Sequence, residues 1–174
     1  LGSAPAVVTG RRSAVLAWNP MGHALFAGHL DPGAPERAAD RPNMARLVFL
    51  DAHTRELYAD WPSKARAVVG NLRITVGKHP DDPLLAALIG ELTMKSTEFT
   101  ALWGDHRIQP CAVADYEMRH PVVGSLTLSQ QTLVNAAAEG QNIVVATPAD
   151  SSARTTLALL AQATTATRVS PQAQ

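Results

Sequence analysis

The sequence predicts one α+β domain in which a five-stranded antiparallel sheet is covered by an enlarged set of helices. Three patterns predict it: a β-hairpin near the N-terminus, helical periodicity through the middle, and three strands with a two-residue period after Pro110. The chain has 174 residues, of which 46% are hydrophobic and 17% charged. This length and composition suit one buried core.

The N-terminal pattern predicts two strands and a first helix. Residues 6–9 and 13–18 are apolar and β-compatible, and the Gly-Arg-Arg turn at residues 10–12 separates them. Asn19 is a good N-cap and Pro20 suits a first helical turn, so a helix is expected at residues 21–27.

Residues 28–42 are rich in Gly, Pro, Ala and Asp, which is typical of a surface loop. A lid over a cavity mouth is one interpretation of this loop. Residues 43–50 predict a short buried helix with apolar side chains at Met44, Leu47, Val48 and Leu50.

A longer helical pattern covers residues 54–75. Apolar side chains recur three or four residues apart at Leu57, Trp61, Ala65, Val68 and Leu72, which places them along one helical face. Pro62 interrupts this pattern, because an interior proline removes a backbone donor. Either the helix kinks there or a new helix begins near Asp60 and Trp61.

Two further helices complete the middle of the chain. Residues 77–80 end the preceding helix, and the Asp-Asp-Pro sequence at residues 81–83 opens another that carries Leu88 and Leu92. Ser96 is placed to cap a short helix that contains Phe99, Leu102 and Trp103.

After Pro110 the period changes to two. Ala112, Ala114, Tyr116, Met118 and His120 share one strand face, which we expect to point inward. Residues 125–133 and 141–147 predict two more strands, in an antiparallel meander. Asp150 or Ser151 is placed to cap a last helix, and we place the domain at residues 1–165 with a flexible tail at residues 166–174.

Charge and cysteine content exclude several classes of protein. Fifteen basic residues balance fifteen acidic ones, so the chain lacks the positive excess that neutralises phosphates in nucleic-acid binding. We find no apolar run long enough for a membrane span, and expect a cytoplasmic protein. Cys111 is the single cysteine and is expected to be a buried or half-buried thiol; His106 and His120 are its partners only by proximity in sequence.

The ordered combination of several segments resembles a known family. The segments are "VLAWNP", "RPNMARLVFLD", "RELYADW", "GKHPDDPLLAALIGEL", "STEFTALW" and "MRHPVVGSLTL", and together they resemble the ligand-binding domain of MmyB-like transcription regulators over residues 6–160. Pro62, directly after the "DW" pair, departs from the helix-compatible residue expected there.

This resemblance implies a Per-Arnt-Sim (PAS)-like fold and a pocket for an apolar ligand such as a fatty acid. It also implies an Xre-type helix-turn-helix domain ahead of this one and outside this chain, through which the regulator would bind DNA. Such regulators are typical of actinomycetes and are associated with the control of secondary metabolism. We expect a homodimer, no membrane partner and no cofactor other than such a ligand.

We predict a ligand cavity between the sheet and the helices, entered beneath the loop at residues 28–42. Its predicted lining is Trp18, Phe26, Asn43, Met44, Arg46, Leu47, Leu50, Trp61, Ala65, Val68, Leu72, Leu88, Leu92, Trp103, Tyr116, Met118 and His120. His120 and Arg46 are the expected polar anchors, because each suits a hydrogen bond to a carboxylate.

Simpler roles compete for several of these residues. The three tryptophans are also expected as plain core residues, Asn43 as a helix cap, and His120 as a core residue bonded to a backbone carbonyl.

The sequence offers no catalytic or metal motif. It has no histidine pair at helical zinc spacing, no G-x-S-x-G elbow and no glycine-rich phosphate loop. We therefore expect neither an enzyme nor a metal site. The rival to a ligand sensor is an interaction module in which an apolar helical surface forms a dimer interface and the core is closed.

Overall fold

The computed structural model describes residues 4–105, 113–135, 137–138 and 140–169. Five strands form one antiparallel sheet in the order β2-β1-β5-β4-β3. The strands are β1 (Ala6–Thr9), β2 (Val15–Trp18), β3 (Val113–His120), β4 (Gly124–Val134) and β5 (Asn142–Pro148). This confirms the predicted hairpin and meander, and with them the PAS-like α+β class.

Helices make up much of the rest of the described chain, together with loops and turns. They are α1 (Pro20–Ala27), α2 (Met44–Leu50), α3 (Ala52–Leu57), α4 (Trp61–Lys78), α5 (Pro83–Lys95), α6 (Thr97–Gly104) and α7 (Ser151–Val169), with a short 3₁₀ helix at Ala34–Glu36. Their starts follow local capping chemistry. The side chains of Asn19, Asn43, Asp51, Asp82 and Ser96 each accept a hydrogen bond from a backbone N–H of the first helical turn.

All the α-helices of the described chain contribute to a core on one face of the sheet, which we call the inner face. Tyr116, Met118 and Leu128 project from this face into a continuous cluster with residues of every α-helix, such as Leu25 and Phe99. On the opposite face, Asp115, Glu117 and Arg119 of β3 are exposed, as the two-residue alternation requires. The predicted inward face of β3 is therefore confirmed for its described residues.

The helical layer is attached to both edges of the sheet. At the β2 edge, Ala14 forms an antiparallel bridge with Asn43, just before α2. At the β3 edge, Tyr58 forms a second bridge with Met118, and the Ala59 N–H donates to the Glu117 carbonyl over 2.9 Å. We call these contacts the edge bridges. They also occupy strand positions that would otherwise expose unpaired backbone.

Pro62 lies near the start of a new helix rather than at a kink within a longer one. α3 ends at Leu57, and α4 begins at Trp61 with the Asp60 carboxylate accepting from the Ser63 N–H over 3.1 Å. Pro62 lies in the first turn of α4, where its missing donor leaves no helical bond unmade. Of the two predicted alternatives, the new helix is therefore the one observed.

Other expectations differ in detail from the structure. Leu50, predicted to be buried, is 38% exposed, whereas Phe49 is 7% exposed and packs edge-on against Trp61 and Phe99. Rotation of α2 by one residue relative to the predicted face explains this difference. α7 extends to Val169, into the predicted tail. Cys111, His106 and Ala112 lie outside the described residues.

A substitution at Gly22 tests how closely α1 packs against β1. A Cβ placed on Gly22 would lie 2.2 Å from the Ala6 carbonyl oxygen, so only glycine allows α1 to approach β1 this closely. We expect Gly22→Ala to lower the free energy of unfolding by about 1–3 kcal/mol in urea denaturation, as overpacking does.

Gly90→Ala in α5 is the matched control. It has no heavy atom within 4 Å of the added Cβ, and should stabilise the protein by about 0.5–1 kcal/mol. Equal effects of the two substitutions would contradict the close packing of α1.

Candidate ligand-binding cavity

A cavity of about 650 Å³ lies between α4 and the inner face of the sheet. Its walls come from α4 on one side and from β1, β3, β4 and β5 on the other, with Phe26, Met44 and Val48 at one flank. Pockets that hold small molecules are about 300–1,000 Å³. The space is therefore of the right size for a ligand.

One stripe of α4 forms the helical wall. Lys64, Val68, Asn71, Thr75 and Lys78 line the cavity, at intervals of three or four residues that keep them on one side of the helix. A neighbouring stripe, made by Trp61, Ala65, Val69 and Leu72, is buried in the core formed with the other helices. The more polar side of α4 therefore faces the sheet, and its more apolar side faces the helices.

The sheet wall consists of inner-face residues in register. Val7 of β1 is paired with Val144 of β5, which is paired in turn with Thr132 of β4. Gln130 of β4 is paired with Ala114 of β3, and all of these line the cavity. Small and β-branched side chains leave more room here than the Leu and Met residues farther along the sheet.

A hydrogen-bonded group lies within this largely apolar lining. The Lys64 ammonium donates to Gln130 Oε1 over 2.8 Å, and the Gln130 amide donates to the Tyr58 hydroxyl over 3.3 Å. The Lys64 nitrogen also lies 5.1 Å from the centre of the Tyr58 ring and 4.9 Å from that of Tyr116. We call Lys64, Gln130, Tyr58 and Tyr116 the Lys64 cluster.

Burial fixes the protonation of one member of this cluster. Tyr58 is only 3% exposed, and its burial raises the pKa of the phenol well above its ordinary value. Tyr58 therefore carries its proton at neutral pH, and its hydroxyl oxygen accepts the hydrogen bond from Gln130.

The other end of the cavity is more open and also basic. Lys78 and His79 at the end of α4 line it, together with Arg11 of the β1–β2 turn. The Arg11 guanidinium is 3.5 Å from the Asp82 carboxylate, so part of its charge is already neutralised. Over the lining residues for which positions are given, no side chain is acidic.

The structure brings some of the predicted lining residues to this cavity and not others. Phe26, Met44, Val68 and Tyr116 line it. The remaining predicted residues do not: Trp18, Asn43, Arg46, Leu47, Leu50, Trp61, Ala65, Leu72, Leu88, Leu92, Trp103, Met118 and His120. Most of these are core residues or helix caps.

The tryptophans take structural positions. The Trp61 indole donates to the Val48 carbonyl over 2.7 Å, and the Trp18 indole donates to the Pro32 carbonyl over 2.8 Å. Trp103 stacks on Phe99 with ring centres 5.5 Å apart. These contacts agree with the expectation of plain core or anchoring roles.

The two predicted polar anchors lie away from the cavity. Arg46 is exposed and pairs with Glu91 of α5 at 2.7 Å. His120 Nε2 is 2.9 Å from the Ala24 carbonyl, and the Val122 N–H donates to His120 Nδ1 over 3.2 Å. His120 therefore joins β3 to α1, which is the simpler role considered from the sequence.

The loop at residues 28–42 also lies elsewhere. None of its residues lines the cavity, and the Trp18–Pro32 hydrogen bond holds it against β2. The lid expected over the cavity mouth is therefore not located at this opening, which lies beside the β1–β2 turn and the end of α4.

Of the Lys64 cluster, sequence reasoning predicted Tyr116 as a lining residue and missed Lys64, Gln130 and Tyr58. Two signals were available: Gln130 follows Leu126 and Leu128 at inward-facing positions of β4, and Lys64 precedes Val68 by one helical turn. A polar residue at a position where the alternation demands an apolar one is a recognisable signal of a site.

The described portion of the chain shows neither a cluster of metal-binding side chains nor a membrane-spanning helix. No group of three His, Cys, Asp or Glu residues there is placed to hold a metal ion. Within the same portion, none of the helices has the length and apolar character to cross a membrane.

The fold and the cavity define a class of protein. A mostly apolar space between a sheet and the helices that cover one of its faces is the kind of cavity in which proteins bind small molecules. A family model described as the MmyB-like transcription regulator ligand binding domain matches residues 1–160, and the chain belongs to this family. No curated protein matches the sequence significantly.

The contacts of His120 generate a prediction about pH. Burial lowers the pKa of His120, and protonation of Nδ1 would remove the acceptor of the Val122 N–H. The folded state thus binds this proton less readily than the unfolded chain. The stability His120 contributes is present above its ordinary pKa of 6.5 and is lost as the pH falls through the lower folded value.

We therefore expect the free energy of unfolding to decrease from pH 7.5 to pH 5. Burial, and then the neighbouring His29, also lower the pKa of His53, which contributes in the same direction. His120→Gln should flatten the profile in part, as measured by urea denaturation at a series of pH values. Parallel profiles for the two proteins would show that His120 does not titrate as described.

Proposed function

We propose that this chain is the sensory domain of a bacterial transcription regulator and binds a small, largely aliphatic molecule between α4 and the sheet. The observation that carries the proposal is the cavity of about 650 Å³, whose surface is mainly apolar and which is bordered by the Lys64 cluster. Membership of a family of ligand-binding domains supports it. A fatty-acid-like molecule fits both the shape and the chemistry of this space.

The dimensions of the cavity support an elongated guest. Its helical wall runs from Lys64 to Lys78, which is about 21 Å at the α-helical rise of about 1.5 Å per residue. Native mass spectrometry of the gently purified protein, with displacement of a fluorescent fatty acid as a second measurement, tests the proposal. Failure to retain or displace any lipid across a panel of chain lengths would refute it.

Filling the cavity should block binding without unfolding the protein. Val68 is half-buried and lines the space, so the larger ring of Val68→Phe would occupy part of the volume. We expect the Kd for the displaced probe to rise about tenfold or more, or about 1.4 kcal/mol for each factor of ten.

Leu159→Phe on α7 is the control, because Leu159 is 52% exposed and does not line the cavity. This variant should bind as the unchanged protein does. Equal affinities for both variants, with both folded by circular dichroism, would place the ligand elsewhere.

Control of DNA binding is the regulatory part of the proposal. A ligand with different affinities for two positions of α4 would shift their populations, and an attached helix-turn-helix domain would respond to that shift. Fluorescence anisotropy of operator DNA with the regulator that carries this domain, with and without ligand, measures the coupling. Val68→Phe in that regulator should abolish the ligand effect while leaving ligand-free DNA binding unchanged.

Dimerisation is the second candidate role. Leu84 and Met94 of α5 are 59% and 88% exposed, which supports an interface on this helix. Leu88 is 3% exposed, so its substitution would disturb the core rather than a surface. Sedimentation of the chain and of Met94→Glu distinguishes the alternatives: a dimer lost in the variant that still binds ligand supports an interface separate from the cavity.

A further inference from the structure

We propose that the ion pair between Arg12 and Asp82 is a clasp that closes the open end of the cavity, and that a ligand enters and leaves when this pair separates. The inference rests on the proposed function, because a closed cavity has a role only if a molecule binds inside it. It concerns how access to the cavity is controlled and does not depend on the chemical class of the ligand.

Three segments surround the open end of the cavity. The β1–β2 turn contributes Arg11, the end of α4 contributes Lys78 and His79, and the β4–β5 turn contributes Gly140. The two turns pack closely, since a Cβ placed on Gly140 would lie 2.9 Å from the Arg11 Cβ. α5 begins at Pro83, shortly after His79. A contact from the β1–β2 turn to the start of α5 therefore crosses the opening.

The Asp82 carboxylate makes this contact. Arg12 Nε lies 2.9 Å and 3.2 Å from its two oxygens and donates to them, and Arg11 Nε is 3.5 Å away. The same carboxylate accepts from the backbone N–H groups of Leu84 and Leu85 in the first turn of α5. Its side chain is only 7% exposed. One carboxylate thus joins the β1–β2 turn to the junction between α4 and α5.

The two ends of the cavity are held by contacts of different kinds. At the less open end, the edge bridge between Tyr58 and Met118 holds the segment before α4 to the sheet through the backbone. The β1–β2 turn is also fixed, since the Asn43 amide donates to the Arg12 carbonyl over 2.7 Å. Across the opening, the contact is an ion pair whose arginine is 36% exposed, and such pairs separate readily in water. The α4–α5 junction is therefore the part that moves away when the clasp opens.

The position of Arg12 determines which quantities the clasp affects. Over the part of the chain that the structure describes, Arg12 does not line the cavity. The ion pair therefore stabilises the closed arrangement equally with and without a bound ligand. An interaction that is the same in two states does not shift the equilibrium between them. The clasp should slow both entry and exit of the ligand and leave its Kd unchanged.

Stopped-flow kinetics with a fluorescent fatty acid tests the clasp. Arg12→Met keeps a long unbranched side chain and removes the charge. We expect the association and dissociation rate constants of the probe each to rise about fivefold, with Kd unchanged, because a partly exposed ion pair makes a modest contribution. Asp82→Asn should have the same effect, since Asn keeps the helix cap but loses the charge.

Arg37→Met is the matched control. Arg37 forms ion pairs with Asp31 over 2.6 Å and with Asp40 over 2.8 Å in the loop at residues 28–42, away from the opening. This variant should bind and release the probe at the rates of the unchanged protein.

Ionic strength provides a second measurement. Raising NaCl from about 0.05 M to about 0.5 M should accelerate entry and exit in the unchanged protein, because salt screens a partly exposed ion pair. The effect should be much smaller in Arg12→Met, which has lost this charge. A salt effect of the same size in both proteins would contradict an ionic clasp.

Hydrogen–deuterium exchange detects opening without a probe. In Arg12→Met, the amides of residues 75–85 should exchange faster, because the end of α4 and the start of α5 have lost a connection to the β1–β2 turn. Arg37→Met should leave exchange in this segment unchanged. Unchanged exchange in Arg12→Met would show that the ion pair does not hold the junction.

The remaining outcomes separate the clasp from the proposed function. Equal rate constants for the unchanged protein and Arg12→Met would overturn the clasp, as would equal acceleration in Arg37→Met. A higher Kd with an unchanged dissociation rate would also overturn it, because Arg12 would then attract the ligand rather than close the opening. If the probe binds to none of the proteins, the proposed function itself fails; if it binds with unchanged rates, only the clasp fails.

Discussion

The attachment of the helical layer to both edges of the sheet is the constraint on which the cavity depends. The bridge between Ala14 and Asn43 fixes where α2 begins, and the bridge between Tyr58 and Met118 fixes where the chain turns into α4. Backbone hydrogen bonds hold both points at a fixed distance from the sheet. The segments that lead into α2 and α4 therefore cannot collapse onto the sheet unless these bonds break. The space between α4 and the sheet results from these edge bridges and from the small side chains of the sheet wall.

The same bridge at Tyr58 creates the polar part of the site. It places the Tyr58 ring beside Tyr116, edge to face with centres 5.4 Å apart, and α4 begins three residues later. Lys64 lies one turn into that helix and therefore reaches the same two rings. The Lys64 cluster thus depends on three local features: the bridge at Tyr58, the contact between the two tyrosine rings, and the position of Lys64 in the first turn of α4.

Local features of the fold were predictable from the sequence, because caps, turns and strand alternation depend on neighbouring residues. Asn19, Asn43, Asp82 and Ser96 act as helix caps as expected. The site was less predictable. Trp61, Ala65, Val68 and Leu72 were assigned to one face, but only Val68 lies on the stripe that lines the cavity. The rotation of a helix about its axis depends on what packs on each side, and two adjacent stripes of α4 have different partners.

One geometric property of the cavity concerns selectivity among homologous chains. Its long wall is a single uninterrupted α-helix, with Lys64 and Lys78 at opposite ends of the lining stripe. Side chains one turn apart on this helix are about 5.4 Å from each other. A ligand held at one end of the cavity would therefore contact them in succession along its length. Under the proposed function, one helix would set the length of aliphatic chain that the cavity accepts, so that exchanging a few residues of α4 would change the preference to shorter or longer molecules.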